Sequence, residues 1–340
     1  LTSALLGWMP AGLAIVSLVA CAFFTAFTGA SGVTIIALGA ILFPAMQQAG
    51  YPEKFNLGLV TSAGSLGLLF APSLPLILYG VIAEVPIESL FLAGLLPGFL
   101  MLTILSGFSI WKNRAIRTPL SDFSWREVRE AIREAVWEIP LPIVVLGGLY
   151  SGYFAISEAA AVTALYVLII DVAVLREVSL RKLPAIVRES MILVGGIMMI
   201  LGVSRASTNF MIDAGVPQQL LHWISGFVTG EIAFMVMLLV FLLILGAILD
   251  VFSAIVLVVP LILPVATQFG VDPVHLGIVF LATMQVGYIT PPVGLNLFIA
   301  GYRFNRPIVD VYLSTLPFFV FLMIAVALIA FWPALSLVLL

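Results

Sequence analysis

The sequence has very few of the residues that build metal centres and catalytic sites. Of its 340 residues one is a cysteine, Cys21, and two are histidines. An internal disulfide and a cysteine metal cluster are therefore excluded, and little is left for a histidine metal site. The chain contains no HExxH, Walker A, GxGxxG or nucleophile-elbow motif, so it offers no known hydrolytic or nucleotide site. These absences predict a protein that is not an enzyme and carries no cofactor.

Charge is equally scarce, and this defines the class of protein. Only 9% of the residues are charged while 63% are hydrophobic, and the mean hydropathy is +1.24. The apolar runs have helical length, which predicts an all-α polytopic membrane protein. The first four residues, LTSA, contain neither an initiator methionine nor a charged signal region, so we expect the chain to begin part-way through a longer protein.

The most distinctive stretch is TPPVGLN at residues 290–296, which lies within an apolar segment. Two adjacent prolines remove two backbone donors and disfavour the helical conformation just before them. A membrane helix must therefore break here, and exposed backbone groups at that depth are tolerated only beside protein or a water-lined cavity. The break is a candidate ligand site.

A second broken segment lies 219 positions earlier in the chain. NLGLV at residues 56–60 resembles HLGIV at residues 275–279, and at the same offset Pro72 falls opposite Pro291 and Ser31 opposite Asp250. Broken apolar segments at corresponding positions are the best sequence indication of a transporter site between internal repeats. We therefore predict a first repeat over residues 1–111, a connecting region over 112–229 and a second repeat over 230–340.

Each predicted repeat begins with two short apolar arms, which favours a re-entrant helical hairpin. The arms are residues 11–28 and 33–48 in the first repeat, and 231–249 and 253–268 in the second. In the connecting region Ser124 and Glu127 suit a capping box that starts an amphipathic surface helix. Residues 189–203 are predicted to cross the membrane and 206–229 to form an outside connector or a lateral helix.

The charges at the ends of the two broken segments differ in sign. The first starts near Lys54 and ends at Glu84 and Glu88, whereas the second starts near Asp272 and ends at Arg303 and Arg306. The positive-inside rule then places the two repeats in inverted orientation. Inverted repeats, each with a re-entrant hairpin and a broken transmembrane helix, describe an alternating-access carrier.

Asp250 is the most conspicuous charge, because it sits in an apolar run where an ionised carboxylate costs at least about 3 kcal/mol. It should have a partner. One interpretation is a cation ligand or an anchor of the hairpin tip, and the other is an N-cap for the helix that follows. Both roles are compatible.

The first hairpin tip and the two breaks carry the remaining candidate ligands. Gly29, Ser31 and Gly32 allow close backbone approach and offer a hydroxyl and amides to an anion, although small residues also serve helix packing. Carbonyls before the prolines suit Na⁺, while amides and hydroxyls suit a carboxylate. The alternative for the prolines is a kink. The substrate-binding candidates are Ser31, Gly32, Ser73, Asp250, Thr290, Pro291, Pro292 and Asn296.

The sequence resembles the large membrane subunit of the tripartite ATP-independent periplasmic (TRAP) transporters. In the first half the resemblance rests on FTGASG (27–32), PAM (44–46), GYP (50–52), GSLG (64–67) and APSLPLILYG (71–80). In the second half it rests on LPVA (263–266), DPVH (272–275) and TPPVGLN (290–296). Two departures are that the family's further N-terminal spans are absent and that Ala71 stands where a first proline is common.

The resemblance implies an elevator-type carrier of the bacterial inner membrane that is driven by a sodium gradient. It implies a small membrane subunit and a periplasmic binding protein as partners, and an organic acid bound between the two hairpins. One Na⁺ site would involve Ser31, Gly67, Phe70 and Pro72, and a second Asp250, Gly287, Ile289 and Thr290.

Other functions remain to be separated from this one. A single-component carboxylate carrier coupled to Na⁺ or H⁺ would have a similar architecture. An intramembrane enzyme would need a catalytic dyad, whereas the ionisable candidates are scattered; a channel would need a filter ring, and nothing in the sequence resembles one. Basic residues in region 112–133 alternate with acidic ones, which disfavours a nucleic-acid partner.

Overall fold

A computed structural model describes residues 11–114, 124–137, 139–151, 153–228 and 230–340, and the regular secondary structure in these ranges consists of helices, without a strand. The helices up to the connecting region are α1 (Gly12–Thr28), α2 (Ser31–Gln48), α3 (Glu53–Ala63), α4 (Leu74–Ala83) and α5 (Ile87–Asn113). They are followed by α6 (Trp125–Glu134), α7 (Pro140–Tyr150), α8 (Ile156–Ile169), α9 (Leu183–Asp213) and α10 (Val216–Ser225). The last are α11 (Glu231–Ile248), α12 (Val251–Gln268), α13 (Pro273–Gly287), α14 (Leu295–Phe304), α15 (Ile308–Phe331) and α16 (Ala334–Leu337).

Six of these helical segments are long and apolar enough to cross a membrane. They are Ser31–Gln48, Ile87–Asn113, Ser157–Val174, Glu231–Ile248, Val251–Gln268 and Ile308–Phe331. The pair Glu53–Leu69 and Leu74–Ala83, bent by 43°, can form a seventh span. The predicted polytopic all-α class is therefore confirmed for the described residues.

The chain forms two compact units, of which the smaller is residues 124–210. The amphipathic helix α6 exists, and an ion pair joins Arg126 to Glu130 at 3.0 Å along its exposed face. The predicted capping box is wrong, because Ser124 occupies the N-cap without any side-chain hydrogen bond. Capping by a distal carboxylate does occur at α8, where Glu158 accepts the Ala155 N–H at 3.0 Å.

The predicted boundary between a span at 189–203 and a connector at 206–229 is also wrong. Helix α9 continues from Leu183 to Asp213 without interruption. A polar Ser-Arg pair at 204–205 does not remove any backbone donor, so it does not end a helix. The chain turns instead at Gly215, whose φ of +69° suits a residue without a side chain.

The larger unit comprises the described parts of residues 11–114 and 211–340, and it contains two similar series of helices. Helices α1 to α5 have 17, 18, 11, 10 and 27 residues. Helices α11 to α15 have 18, 18, 15, 10 and 24 residues. We call α1–α2 hairpin 1 and α11–α12 hairpin 2, and the interruptions at residues 64–73 and 288–294 break 1 and break 2.

The core of this unit is made by the helices that precede the breaks. Every residue from 55 to 69 and from 275 to 289 is buried. Helices that are apolar on all sides must be surrounded by other helices. Accordingly α3 packs against α15, and α13 packs against α5.

The two series also exchange contacts through their shorter helices. Helix α2 of hairpin 1 packs against α14, and α12 of hairpin 2 packs against α4. At the first interface Gly32 lies so close to Ile299 that an added Cβ would be 2.5 Å from its Cδ1. Each hairpin is thus covered by the helix that follows the other series' break; the predicted repeat boundaries and their inversion stay predictions.

Candidate functional site

The tips of the two hairpins line one cavity of about 320 Å³. Residues 29–33 form its wall at tip 1 and residues 250–252 form its wall at tip 2. The remaining wall is Ile36, Leu68, Tyr288, Leu295 and Ile299. Ser31 and Asp250, predicted to face one another from the two tips, therefore lie on the same cavity.

At tip 2 Asp250 is the N-cap of α12. Its Oδ1 accepts the N–H groups of Phe252 and Ser253, both at 3.0 Å, and its Oδ2 accepts the Ser253 hydroxyl at 2.6 Å. The carboxylate thus has the hydrogen-bond partners that its apolar surroundings require, and the capping interpretation is confirmed. A carboxylate offers about four lone-pair positions, so an acceptor position remains for a cation.

Tyr288 is a cavity residue that the sequence analysis missed. It follows α13 directly at break 2, only 2% of its surface is exposed, and its Oη accepts the N–H of Val251 at 2.5 Å. The available signal was a hydroxyl-bearing residue between the predicted ligands Gly287 and Ile289. Sequence reasoning assigned only backbone groups to that stretch.

Tip 1 has the opposite chemistry. The N-cap of α2 is Ala30, in an extended conformation with φ −130° and ψ 111°, and it supplies no side-chain hydrogen bond. The first amides of a helix have no partner within the helix. The residues that carry these amides in α2 line the cavity and have no capping side chain, and a helix start of this kind favours an anionic group.

Hairpin 1 is fixed to its own break by hydroxyl and glycine contacts. Thr25 Oγ1 lies 2.6 Å from Thr34 Oγ1 across the hairpin and donates to the Gly64 carbonyl at 2.8 Å. Gly67 packs against α1 so closely that an added Cβ would overlap the carbonyl oxygen of Ala22. The glycine at break 1 is therefore a packing requirement.

Hairpin 2 is fixed to break 2 in a related way. An added Cβ on Gly287 would lie 2.6 Å from the Cα of Gly246 in α11. The Gly294 N–H donates to the carbonyl of Ala247 at 2.9 Å. Backbone approaches of this kind are possible only where side chains are absent.

Several predicted substrate ligands lie outside the cavity wall. Ser73 and Asn296 are both fully buried, and Asn296 Nδ2 donates to the Thr61 carbonyl at 3.3 Å. Their oxygens Ser73 Oγ and Asn296 Oδ1 have no hydrogen-bond partner among the described residues. Thr290, Pro291 and Pro292 belong to break 2 but do not line the cavity. The assignment of these residues as substrate ligands stays a prediction.

The predicted Na⁺ ligands lie at the two breaks, each next to its own hairpin. The carbonyls of Gly67, Phe70 and Gly287 accept the N–H groups of Phe70, Ser73 and Thr290 at 3.1, 3.0 and 2.9 Å. A carbonyl has two lone pairs, so each keeps one for a hard cation. No group of three or more His, Cys, Asp or Glu side chains in the described ranges could hold a metal ion.

Comparison with known proteins gives a family-level match. The family described as tripartite ATP-independent periplasmic transporter, DctM component, matches residues 1–335. The chain is also similar to the C4-dicarboxylate TRAP transporter large permease protein DctM of Pseudomonas aeruginosa. The two are 33% identical over 338 residues, which is 99% of this chain and 79% of that protein.

Two further relatives are named after other substrates. The ectoine/5-hydroxyectoine TRAP transporter large permease protein UehC of Ruegeria pomeroyi is 33% identical and covers 98% of this chain and 78% of its own length. The isethionate TRAP transporter permease protein DctMQ of Oleidesulfovibrio alaskensis is 34% identical over 97% of this chain. The chain spans about half of that protein, 52%.

Proposed function

This chain belongs to the DctM component family of the tripartite ATP-independent periplasmic transporters, and we propose that it imports an organic acid across the inner membrane together with Na⁺, driven by the inward sodium gradient. As a member of a family of transport proteins it is not an enzyme. The observation that carries the proposal is the cavity of about 320 Å³ between the two hairpin tips. A cavity of this size suits a small ligand.

The proposed binding mode follows from the polarity of the cavity wall. A carboxylate of the substrate is placed at tip 1, beside the Ser31 hydroxyl and the uncapped start of α2. Aliphatic side chains such as Ile36, Leu295 and Ile299 cover the carbon skeleton. The relatives are named after different substrates, so the proposal is restricted to an organic acid.

Two coupling-ion sites are proposed, one between each tip and its break. The first uses Ser31 with the Gly67, Phe70 and Pro72 segment, and the second uses Asp250 with the Gly287, Ile289 and Thr290 segment. The close contacts of Gly67 with α1 and of Gly287 with α11 support this placement, because they bring each break against its own hairpin. Na⁺ would then help to assemble the substrate site.

The two similar helix series support inverted repeats and an elevator-type movement. The equal lengths of α2 and α12, 18 residues each, and the reciprocal packing of α2 on α14 and α12 on α4 fit a pseudo-twofold relation. The described unit of residues 11–114 and 211–340 is the proposed moving body. A small membrane subunit and a periplasmic binding protein are its proposed partners.

The test is uptake into proteoliposomes that contain the complete permease with its small subunit and its binding protein. Radiolabelled succinate, isethionate, ectoine, a keto acid and a sugar acid are the probes, each measured with an inward Na⁺ gradient and with K⁺ in its place. We expect accumulation of one probe with Na⁺ only. Uptake of that probe at the same rate in Na⁺-free buffer would disprove sodium coupling.

Omission of the binding protein separates the two transport hypotheses. A tripartite carrier loses uptake from a dilute substrate solution when the binding protein is left out. A single-component carrier keeps it.

A further inference from the structure

The hydroxyl of Tyr288 makes a contact that joins break 2 to the start of α12. Its Oη accepts the N–H of Val251 at 2.5 Å, and both residues line the cavity. Val251 is the first residue of α12, so its amide has no acceptor within the helix. A buried amide without a partner is unfavourable, and Tyr288 supplies this one.

Together Tyr288 and Asp250 satisfy the first three amides of α12. The Tyr288 hydroxyl accepts the N–H of Val251, and the Asp250 carboxylate accepts the N–H groups of Phe252 and Ser253. Asp250 belongs to the tip itself and would move with it, whereas Tyr288 belongs to break 2. Tyr288 therefore links the first residue of α12 to the end of the buried core helix α13 by a hydrogen bond.

Helix α11, the other arm of hairpin 2, is also hydrogen-bonded to break 2. The Gly294 N–H donates to the Ala247 carbonyl near the end of α11. Break 2 thus holds both arms, α11 through a backbone bond and α12 through a side chain. Only the second of these bonds lies at the cavity wall, since Ala247 and Gly294 do not line it.

The Tyr288 hydroxyl also has a proton to donate. It acts as an acceptor toward Val251, and among the described residues its O–H has no hydrogen-bond acceptor. A substrate oxygen in the cavity could accept that proton. Hydrogen bonds in a chain strengthen one another, so a ligand bound in this way would reinforce the bond to Val251.

We propose that Tyr288 is a positioning residue that holds tip 2 closed on the cavity and tightens this closure when an acceptor oxygen of the substrate is bound. Break 1 has no counterpart, because the residue with which it lines the cavity is Leu68, which has no polar side-chain atom. Closure at the tip is thus assigned to hairpin 2. The role of Tyr288 in transport rests on the proposed function, whereas its role in holding tip 2 closed does not.

The first test compares Tyr288→Phe with Tyr79→Phe by amide hydrogen exchange of the purified permease. Tyr79 is a matched control, since its buried hydroxyl donates to the Pro273 carbonyl at 2.7 Å away from the cavity. Loss of one hydrogen bond changes an equilibrium roughly two- to tenfold. We expect exchange at residues 251–253 to rise by that factor in Tyr288→Phe and to stay unchanged in Tyr79→Phe. Equal exchange at tip 2 in both variants would overturn the proposal.

A double-mutant cycle tests whether Tyr288 stabilises tip 2 through its hydrogen bond with the N–H of Val251. Val251→Pro removes the donor at the first helical position, where proline is best tolerated. Asp250, at φ −73° and ψ 160°, already has the conformation required before proline. In the Val251→Pro background, Tyr288→Phe should leave exchange at Phe252 and Ser253 unchanged. An undiminished effect would show that Tyr288 acts through another contact.

The transport experiment uses the radiolabelled probe that the wild-type permease accumulates. We expect Tyr288→Phe to raise the apparent KM by roughly two- to tenfold with a smaller change in maximal rate, because it lowers the occupancy of the closed state. An unchanged KM would contradict the ligand-dependent part. If the wild type accumulates no probe, the proposed function fails. The hydrogen-exchange experiments still decide whether Tyr288 holds tip 2 closed.

Discussion

The two hairpin tips meet at one cavity, but they are stabilised in different ways. At tip 2 the first amides of α12 are satisfied by Asp250 and Tyr288. At tip 1 the N-cap is Ala30, which supplies no side-chain hydrogen bond to α2. The first arm of each hairpin nevertheless packs closely against the segment at its own break, α1 at Gly67 and α11 at Gly287.

The difference indicates that the two tips have different roles, although both hairpins are held by the same kind of glycine contact. At tip 1 no side chain caps α2, which suits the anionic ligand proposed there. Tip 2 uses its donors internally and presents a carboxylate and a phenol. The shared glycine contacts should therefore matter equally for both hairpins, whereas substitutions at the tips should have unequal effects.

The largest effects are expected at the shared contacts. Gly67→Ala and Gly287→Ala each place a methyl group against backbone atoms that cannot yield, which should lower the stability by about 3 kcal/mol and reduce the yield of monodisperse protein. Thermal unfolding in detergent measures the loss. Gly107→Ala is the control, because an added Cβ there meets nothing within 4 Å. If only one of the two variants is destabilised, the hairpins are not held equivalently.

Asp250→Asn comes next and separates charge from capping. The amide oxygen of asparagine can still cap α12, so we expect the unfolding midpoint to change little. A neutral group is a weaker cation ligand, and Na⁺-dependent uptake should fall by about tenfold or more. Asp250→Ala serves as the comparison that loses both functions. Unaltered Na⁺ dependence in Asp250→Asn would remove Asp250 from the proposed ion site.

Ala30→Ser makes tip 1 more like tip 2. A serine at the N-cap can accept an amide of α2 and should stabilise the protein by about 1 kcal/mol. Because that amide is then no longer available to a ligand, uptake should fall while stability rises. Ala30→Gly is the matched control without a hydroxyl. A parallel rise of stability and uptake would show that the uncapped amides do not bind substrate.

The smallest effect is expected for Ser31→Ala. It removes one hydroxyl of about 1 kcal/mol and leaves the backbone amides of tip 1 in place. The apparent KM for the transported acid should rise by a few-fold, less than the effect of Asp250→Asn on Na⁺-dependent uptake. A loss as large as that of Asp250→Asn would mean that the side chain, rather than the backbone, carries the binding at tip 1.

Much of the architecture could be predicted from local sequence features. Hydropathy defined the membrane class, and the paired short arms predicted both hairpins to within a few residues. Proline and glycine located the two breaks, since they act on the backbone of their own segment. The Asp250 cap was equally local, because it involves only the next three residues.

Predictions that depended on partners distant in the chain were less successful. The break expected near residues 204–205 does not exist, because polarity alone does not end a helix. Nothing in the sequence indicated that the Asn296 side-chain amide donates to the carbonyl of Thr61, 235 positions away in the chain; its assignment as a substrate ligand stays a prediction. A residue's periodicity does not identify the element that will cover it.

The sequence by itself determined the membrane fold, the family and the position of the hairpins and breaks, because these follow from composition and from backbone chemistry within short segments. Only the tertiary structure decided that Tyr288 satisfies Val251, that Leu295 and Ile299 complete the cavity wall, and that Gly67 and Gly287 are packing requirements. These features arise where segments distant in sequence approach within a few ångströms. Close packing fixes such distances, and it depends on the shapes of all the neighbouring side chains at once.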